Sequence, residues 1–206
     1  MKRLSTFLCA LIFLIASAAT AGALSYEYTS TNSGLLWLGN TYEQGAPSPI
    51  LNTFGLESSI SFVPLFSTSI EMQMYGTQYL YQEGRAAPAP IEYADQLFLL
   101  TLTTDINAKF RFRINNRFTA GILFGPAFFF RIPVKSWGDV NRDNFISYYY
   151  KEGRFFLPKA GAFLETSLRK NIHLIAKAGS YLPLYHFWEQ QKTAFTDHLA
   201  IYARVG

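Results

Sequence analysis

Residues 98–114 read FLLTLTTDINAKFRFRI, and the alternation of these 17 residues decides the fold class. Every even position except Thr104 is apolar, while the odd positions from Asp105 onward are all polar or charged. Successive side chains of a β-strand point to opposite faces. The segment therefore predicts a strand with one apolar and one charged face, and it is longer than the roughly 5–6 residues of an ordinary globular strand.

Seven further segments show the same period of two, which predicts eight strands in all. They are residues 26–40, 52–62, 67–82, 118–132, 154–168, 172–188 and 199–205. Their connections alternate strictly between short turns (63–66, 115–117 and 169–171) and longer polar or Pro-rich stretches (41–50, 83–94, 133–152 and 189–197). No segment of helical length shows a period of 3.6. The pattern predicts an all-β, antiparallel up-and-down sheet.

The composition indicates that this sheet lies in a membrane. The chain has 206 residues, of which 50% are hydrophobic, 17% aromatic and only 16% charged, whereas a soluble domain carries roughly 25% charged residues. Only helices and closed barrels satisfy their backbone groups in lipid, and no stretch beyond the first 24 residues is apolar enough for a spanning helix. We therefore predict an eight-stranded transmembrane β-barrel with short periplasmic turns and longer extracellular loops. A secreted soluble β-sandwich or lipocalin-like barrel is the alternative, although it would normally have longer turns at both ends.

The amino terminus has the three-part build of a secretory signal peptide. Two basic residues precede an apolar run at residues 8–16, and small residues follow it. We expect residues 1–23 to be removed, residues 24–206 to form the barrel, and the Sec pathway to deliver it to a bacterial outer membrane. Cys9, the single cysteine, lies in the removed segment, so we expect no disulfide. The mature chain keeps 16 basic and 14 acidic residues (+2), which disfavours nucleic acid as a partner.

These features resemble the small outer-membrane proteins of the OmpW, OmpX and OmpA-barrel type, and most of all the compact eight-stranded proteins of spirochaetes. The resemblance covers the whole mature chain of about 183 residues, without a diagnostic motif. It implies outer-membrane lipid and the outer-membrane assembly machinery as partners. Such barrels usually finish on an aromatic residue, whereas this chain stops at Gly206. Either the chain is truncated or its assembly signal is atypical.

If the apolar face contacts lipid, the polar face fills the lumen. An eight-stranded barrel is just wide enough for its own side chains, and buried charges must be paired. We expect a cross-lumen network of ion pairs that plugs the barrel, with a narrow polar pore or a small ligand pocket as the alternative. Its predicted members are Glu57, Glu71, Asp105, Lys109, Arg111, Arg113, Arg131, Lys159, Glu165, Lys177 and Arg204. A few inward apolar residues suggest a hydrophobic pocket in the outer half, formed by Leu99, Leu123, Phe129, Ile175 and Phe187.

One loop carries a candidate calcium site and is the only cofactor expectation. Asp139, Asn141 and Asp143 stand at alternate positions, as do the first oxygen ligands of an EF-hand loop. The loop, residues 139–150, has Tyr150 where that pattern has a bidentate acid. An Asx-rich turn explains the same residues.

No catalytic motif emerges. The three histidines fit no zinc spacing, and no GxSxG elbow is present. We therefore expect no enzymatic activity. Two functions remain open. The first, which the inward apolar residues favour, is OmpW-like passage of small apolar or amphipathic solutes. The second is a non-catalytic barrel in the OmpX or OmpA manner, whose loops bind a host partner or ligand or which supports the membrane.

Overall fold

The computed structural model describes residues 25–41, 48–82, 85–88, 96–138, 142–169, 172–189 and 194–206. The predicted signal peptide lies outside these ranges. Within them, no helix is both long and apolar enough to cross a membrane.

Ten strands of the described residues form one antiparallel sheet. They are β1 (Ser25–Leu38), β2 (Ile50–Val63), β3 (Phe66–Gln82), β4 (Arg85–Pro88), β5 (Gln96–Arg113), β6 (Phe118–Gly125), β7 (Ala127–Trp137), β8 (Lys159–Arg169), β9 (Ile172–Tyr181) and β10 (Ala200–Val205). The sheet closes on itself because β1 pairs with β10, with Leu36 opposite Tyr202.

Eight strands make up the barrel wall. Both β6 and β7 pair with β5 and follow one another along the same edge. They are separate only because Pro126 has no N–H to donate, although its carbonyl still accepts a hydrogen bond of 2.9 Å from the Ile106 N–H. The four residues of β4 extend the sheet beside the end of β3. The predicted eight-stranded antiparallel barrel is confirmed.

The connections divide the barrel into two unlike ends. The ends of β2 and β3, of β5 and β6, and of β8 and β9 meet at what we call the short-turn end. The longer connections, which follow Leu38, Gln82, Trp137 and Tyr181, begin at the opposite end of the barrel, which we call the long-loop end. This is the alternation that the sequence predicts.

Several boundaries differ from the sequence prediction, and the largest differences, including the start of β8 at Lys159 instead of residue 154, lie at the long-loop end. Strand β7 runs on to Trp137, and a helix α1 (Arg142–Tyr150) followed by a 3-10 turn (Lys151–Gly153) replaces the expected loop. The strand expected over 172–188 ends at Tyr181, and Leu184–Phe187 form a second 3-10 turn. Helix α1 forms because its buried side chains, Phe145, Tyr148 and Tyr149, have the i, i+3, i+4 spacing of a helix face.

The barrel has its apolar face outside and its charges inside. Neighbouring residues of β6 show this inversion: the Ile122 side chain is 49% exposed, whereas Leu123 is 1% exposed. Isoleucine, leucine, methionine and phenylalanine side chains are exposed all round the wall. Among the strand side chains that the structure describes, the exposed lysine and arginine residues, Lys135 and Arg113, lie near strand ends.

Candidate functional site

Three carboxylates stand side by side on adjacent strands in the middle of the lumen. The register places Glu57 on β2 opposite Glu71 on β3, and Glu71 opposite Asp105 on β5. Like charges directly opposite one another destabilise a sheet, so this acidic wall requires cations from elsewhere. The facing strands supply them as Lys159 on β8 and Lys177 on β9, together with Arg204 on β10.

The opposing walls are joined by short ion pairs across the lumen. Lys159 Nζ lies 2.7 Å from both Glu71 Oε2 and Asp105 Oδ2. Lys177 Nζ lies 2.6 Å from Glu57 Oε2 and 3.2 Å from Glu71 Oε1. Charge-assisted hydrogen bonds of this length are the strong ones. We call Glu57, Glu71, Asp105, Lys159, Lys177 and Arg204 the central network.

Aromatic rings complete this layer. The Tyr181 hydroxyl donates to Asp105 Oδ2 over 2.7 Å and accepts from Arg204 Nη2 over 2.7 Å. The Tyr202 ring centre lies 4.7 Å from Lys159 Nζ. Gly161 leaves room for this ring, since a Cβ there would lie 2.5 Å from the Tyr202 hydroxyl. Charged side chains and aromatic rings therefore fill this layer together.

A second set of charges lies closer to the short-turn end. Lys109 Nζ contacts Glu57 Oε1 at 2.8 Å and the Tyr28 hydroxyl at 2.6 Å. Arg111 forms an ion pair with Glu27 and lies 3.9 Å from Glu165. Glu27 belongs to this group although the sequence prediction did not include it. An irregularity in the pairing of β1 with β2 near Tyr26 obscures the alternation there.

Arg113 does not join the lumen network, contrary to the sequence prediction. It is exposed, and its guanidinium donates to the Asn115 carbonyl oxygen and to Asn116 Oδ1 at 3.3 and 3.0 Å. Because Arg113 is the last residue of β5, its side chain reaches the following turn and binds there instead.

The predicted apolar pocket is not assembled. Four of its predicted members are buried: Leu99, Leu123, Phe129 and Ile175. The prediction is wrong for Phe187, which is 77% exposed and lies on a 3-10 turn outside the wall. Leu99 and Phe129 belong to separate hydrophobic clusters at the long-loop side. Leu123 stands opposite Lys109, and Ile175 opposite Glu165, toward the other end.

The long-loop end is closed by a cap of aromatic residues. The Phe145 and Tyr149 rings of α1 pack against the Tyr79 ring of β3, with centroids 5.8 and 5.4 Å apart. The backbone N–H of Arg131 donates to the Tyr150 hydroxyl over 3.2 Å, which ties α1 to β7. We define α1 with the two 3-10 turns, Lys151–Gly153 and Leu184–Phe187, as the cap.

Charged groups hold the cap together from within. The Arg154 guanidinium contacts Glu152 at 3.0 Å and Glu189 at 3.2 Å, and it lies 4.2 Å from the Tyr148 ring centre. The Trp188 indole N–H donates to the Glu152 carbonyl oxygen over 2.8 Å. Burial raises the pKa of the Tyr149 hydroxyl well above its usual value. This hydroxyl therefore stays neutral and its ring remains packed at physiological pH.

Arg131 links the cap to the lumen. It is buried on β7, and its guanidinium carbon lies 4.0 Å from the centre of the Tyr149 ring and 5.2 Å from that of the Phe129 ring. It is therefore stacked on aromatic faces instead of joining the central network.

The candidate calcium residues fall largely outside the described part of the chain. Asp139 and Asn141 are not described, and Asp143 lies in the first turn of α1. Among the described residues, no group of three or more His, Cys, Asp or Glu side chains could hold a metal ion. Calcium binding stays a prediction.

One serine and one histidine meet at the short-turn end. Ser167 Oγ lies 3.2 Å from His173 Nδ1, and Glu165 Oε1 lies 3.4 Å from the same nitrogen. A catalytic triad uses the two ring nitrogens for different partners, which this arrangement does not. The contacts describe a polar rim, and the expectation of no enzymatic activity stays a prediction.

The fold and the lumen define the class of this protein. It is a small closed eight-stranded antiparallel β-barrel whose lumen is filled by paired charges and covered by an aromatic cap. No protein-family model matches the chain, and a comparison with curated proteins finds no match either.

Proposed function

We propose that this protein is an integral β-barrel of a bacterial outer membrane. The observation that carries the proposal is the inverted polarity of the wall. Apolar side chains such as Ile70, Ile106 and Ile122 are exposed on the outside, while Glu71, Asp105 and Lys159 are buried in the lumen.

Simple energetics support a lipid environment for this wall. Each square ångström of apolar surface removed from water contributes about 25 cal/mol, so a wall of exposed Ile, Leu, Met and Phe is unfavourable in water. In lipid the same wall has no such penalty, and a closed sheet leaves no unpaired backbone edge. The eight strands and the unequal ends are also typical of outer-membrane barrels.

Within that class, we propose the second of the two functions that the sequence leaves open: a closed barrel that acts through its long-loop surface, as a non-catalytic binding or membrane-supporting protein. A solute moving along the axis would have to separate Lys159 from two carboxylates at 2.7 Å. Such buried pairs are expensive to break. OmpW-like passage, which the sequence favoured through the resemblance and the inward apolar residues, lacks a single apolar pocket among the described residues.

The cap offers the surface for such a role. Its exposed side chains include Ile146, Tyr150 and Phe187. The exposed Trp188 follows directly in the chain, and the Phe195 ring lies 6.2 Å from that of Phe187. Aromatic side chains are enriched where one protein recognises another.

Solute flux tests the proposal. Liposomes holding the refolded barrel are loaded with small polar and apolar probes, with empty liposomes and a known porin as controls. We expect flux at the level of empty liposomes from protein that is folded and protease-resistant, with and without calcium. Flux approaching that of the porin would favour passage of solutes and refute the closed barrel. Failure of the folded protein to float with liposomes would refute the membrane location.

A further inference from the structure

Arg131 is a buried cation whose position calls for a negative charge. Its side chain is 6% exposed and points into the lumen from β7. The register places it opposite Thr101 on β5, and Thr101 opposite Tyr75 on β3. This row of residues lies between the cap and the central network. Along β5, Thr101 is two inward-facing positions away from Asp105.

The guanidinium has aromatic but no acidic neighbours, and the Tyr79 hydroxyl accepts a hydrogen bond from it. Among the residues that the structure describes, no carboxylate lies within 4 Å of it, and its Nε and Nη1 have no hydrogen-bond partner. The Tyr149 hydroxyl, from the ring stacked on it at 4.0 Å, is buried without a partner as well. A buried arginine with unused donors is costly unless an acceptor joins it.

The charge balance of the lumen singles out the same residue. Six basic side chains of the described strands (Lys109, Arg111, Arg131, Lys159, Lys177 and Arg204) face five acidic ones (Glu27, Glu57, Glu71, Asp105 and Glu165). All the bases except Arg131 lie within 4 Å of one of these acids. Among these strand residues, Arg131 is therefore the base without an ion pair, while at the long-loop end Glu152 and Glu189 are paired with Arg154.

We propose that Arg131 binds a single anionic group, either a small carboxylate or an inorganic anion. The ligand occupies the lumen beneath the cap, where the guanidinium supplies charge and unused N–H donors, and the Tyr149 hydroxyl supplies a neutral donor. Arginine suits this role because its fork of donors matches a carboxylate.

Access comes from the long-loop end. The central network fills the lumen on the other side of Arg131, so an anion from the short-turn end would have to pass three buried carboxylates. On the cap side, the Tyr149 ring covers the guanidinium. Binding therefore requires α1 to shift, and the site couples the anion to the position of the cap.

Two NMR titrations of the refolded protein in neutral detergent micelles test the proposal. Sodium chloride is followed by chlorine line broadening, and sodium butyrate by saturation transfer from the protein. We expect at least one anion to bind. The chloride arm reports an inorganic ligand and the butyrate arm a carboxylate, and where both bind they should compete.

Variants connect the signal to the site. Arg131→Gln should weaken binding by about tenfold or more, while Arg113→Gln, which removes an exposed arginine at the other end, should leave it unchanged. Tyr149→Ala removes the ring that covers the guanidinium. Because Tyr149 lies on a helix outside the wall, this variant should accelerate exchange of the bound anion without unfolding the barrel. If Arg131→Gln does not fold, Arg131→Lys keeps the charge and should retain weaker binding.

Three results would overturn the proposal. The first is that neither anion binds folded wild-type protein. The second is that Arg131→Gln, or in its place Arg131→Lys, binds within twofold of wild type. The third is that Arg113→Gln loses binding as much as the Arg131 variant does, which would mean nonspecific attraction of anions.

Discussion

Lys159 is the side chain whose removal should damage the barrel most. Its ammonium group lies 2.7 Å from both Glu71 and Asp105, and all three side chains are fully buried. Lys159→Met keeps the length of the side chain but leaves two carboxylates short of their shared cation. Removing one partner of a buried pair costs about 3–5 kcal/mol.

The remaining neighbours set the expected value within that range. Arg204 Nη1 still lies 3.1 Å from Glu71 and 3.6 Å from Asp105, and the Tyr181 hydroxyl still donates to Asp105. These contacts lessen the loss, so we expect the lower end, about 3 kcal/mol. Adding Asp105→Asn to Lys159→Met removes one uncompensated charge, and the two changes together should cost about 1–3 kcal/mol less than the sum of their separate effects.

Urea unfolding of the lipid-embedded barrel, followed by the gel mobility of the folded form, measures these differences. Lys135→Met is the matched control, because Lys135 is exposed on β7, and it should change stability by less than about 0.5 kcal/mol. A loss below about 1 kcal/mol for Lys159→Met would refute the view that the central network holds the barrel together.

Three further predictions follow from other contacts. Gly161→Ala places a Cβ 2.5 Å from the Tyr202 hydroxyl, and it should destabilise the barrel by about 1–3 kcal/mol in the same urea assay. Arg111→Gln breaks a half-buried ion pair and should cost about 1–2 kcal/mol, whereas Arg113→Gln should stay within about 0.5 kcal/mol of wild type. Because the pKa of the Tyr149 hydroxyl is raised in the packed cap, this hydroxyl keeps its proton there, whereas in a cap detached from the barrel it loses the proton above about pH 10. The stability of the packed cap should therefore not depend on the Tyr149 hydroxyl below that pH, and it should fall as the pH rises through the raised pKa. Faster protease cleavage in α1 would measure this fall.

Each of these predictions can fail in a clear way. Wild-type stability in Gly161→Ala would mean that the Tyr202 ring is not held where the structure places it. Equal losses in the two arginine variants would contradict the difference between a lumen residue and a turn residue. Cleavage in α1 that does not accelerate up to strongly alkaline pH would contradict the burial of the Tyr149 hydroxyl.

The strands were predictable because the alternation is a local property. The segment 98–114 contains nearly all of β5, Gln96–Arg113, since a sheet with one lipid-like and one polar face must repeat every two residues. The charged lumen follows from the same pattern. The ion pairs within the lumen do not follow from the alternation, because the acidic row of Glu57, Glu71 and Asp105 depends on the register between strands.

The long-loop end was less predictable because its structure depends on tertiary packing. The aromatic spacing of Phe145, Tyr148 and Tyr149 was a signal for α1, but Ile146 and Tyr150 are apolar too, so apolar residues surround most of the helix and weaken the helical pattern. The exposed position of Phe187 follows from the end of β9 at Tyr181, where the alternation no longer applies. The stacking of Tyr149 on Arg131 joins two elements that no sequence pattern relates.

Contact between the wall and lipid tests the central claim most directly. Single tryptophans replace Ile106, Ile122 or the turn residue Asn116 in a background in which the three native tryptophans are phenylalanine. Fluorescence is recorded in liposomes whose acyl chains carry bromine, a quencher that acts only on contact. The membrane barrel predicts strong quenching at positions 106 and 122 and little at position 116. Equal, weak quenching at all three positions in folded protein would contradict it.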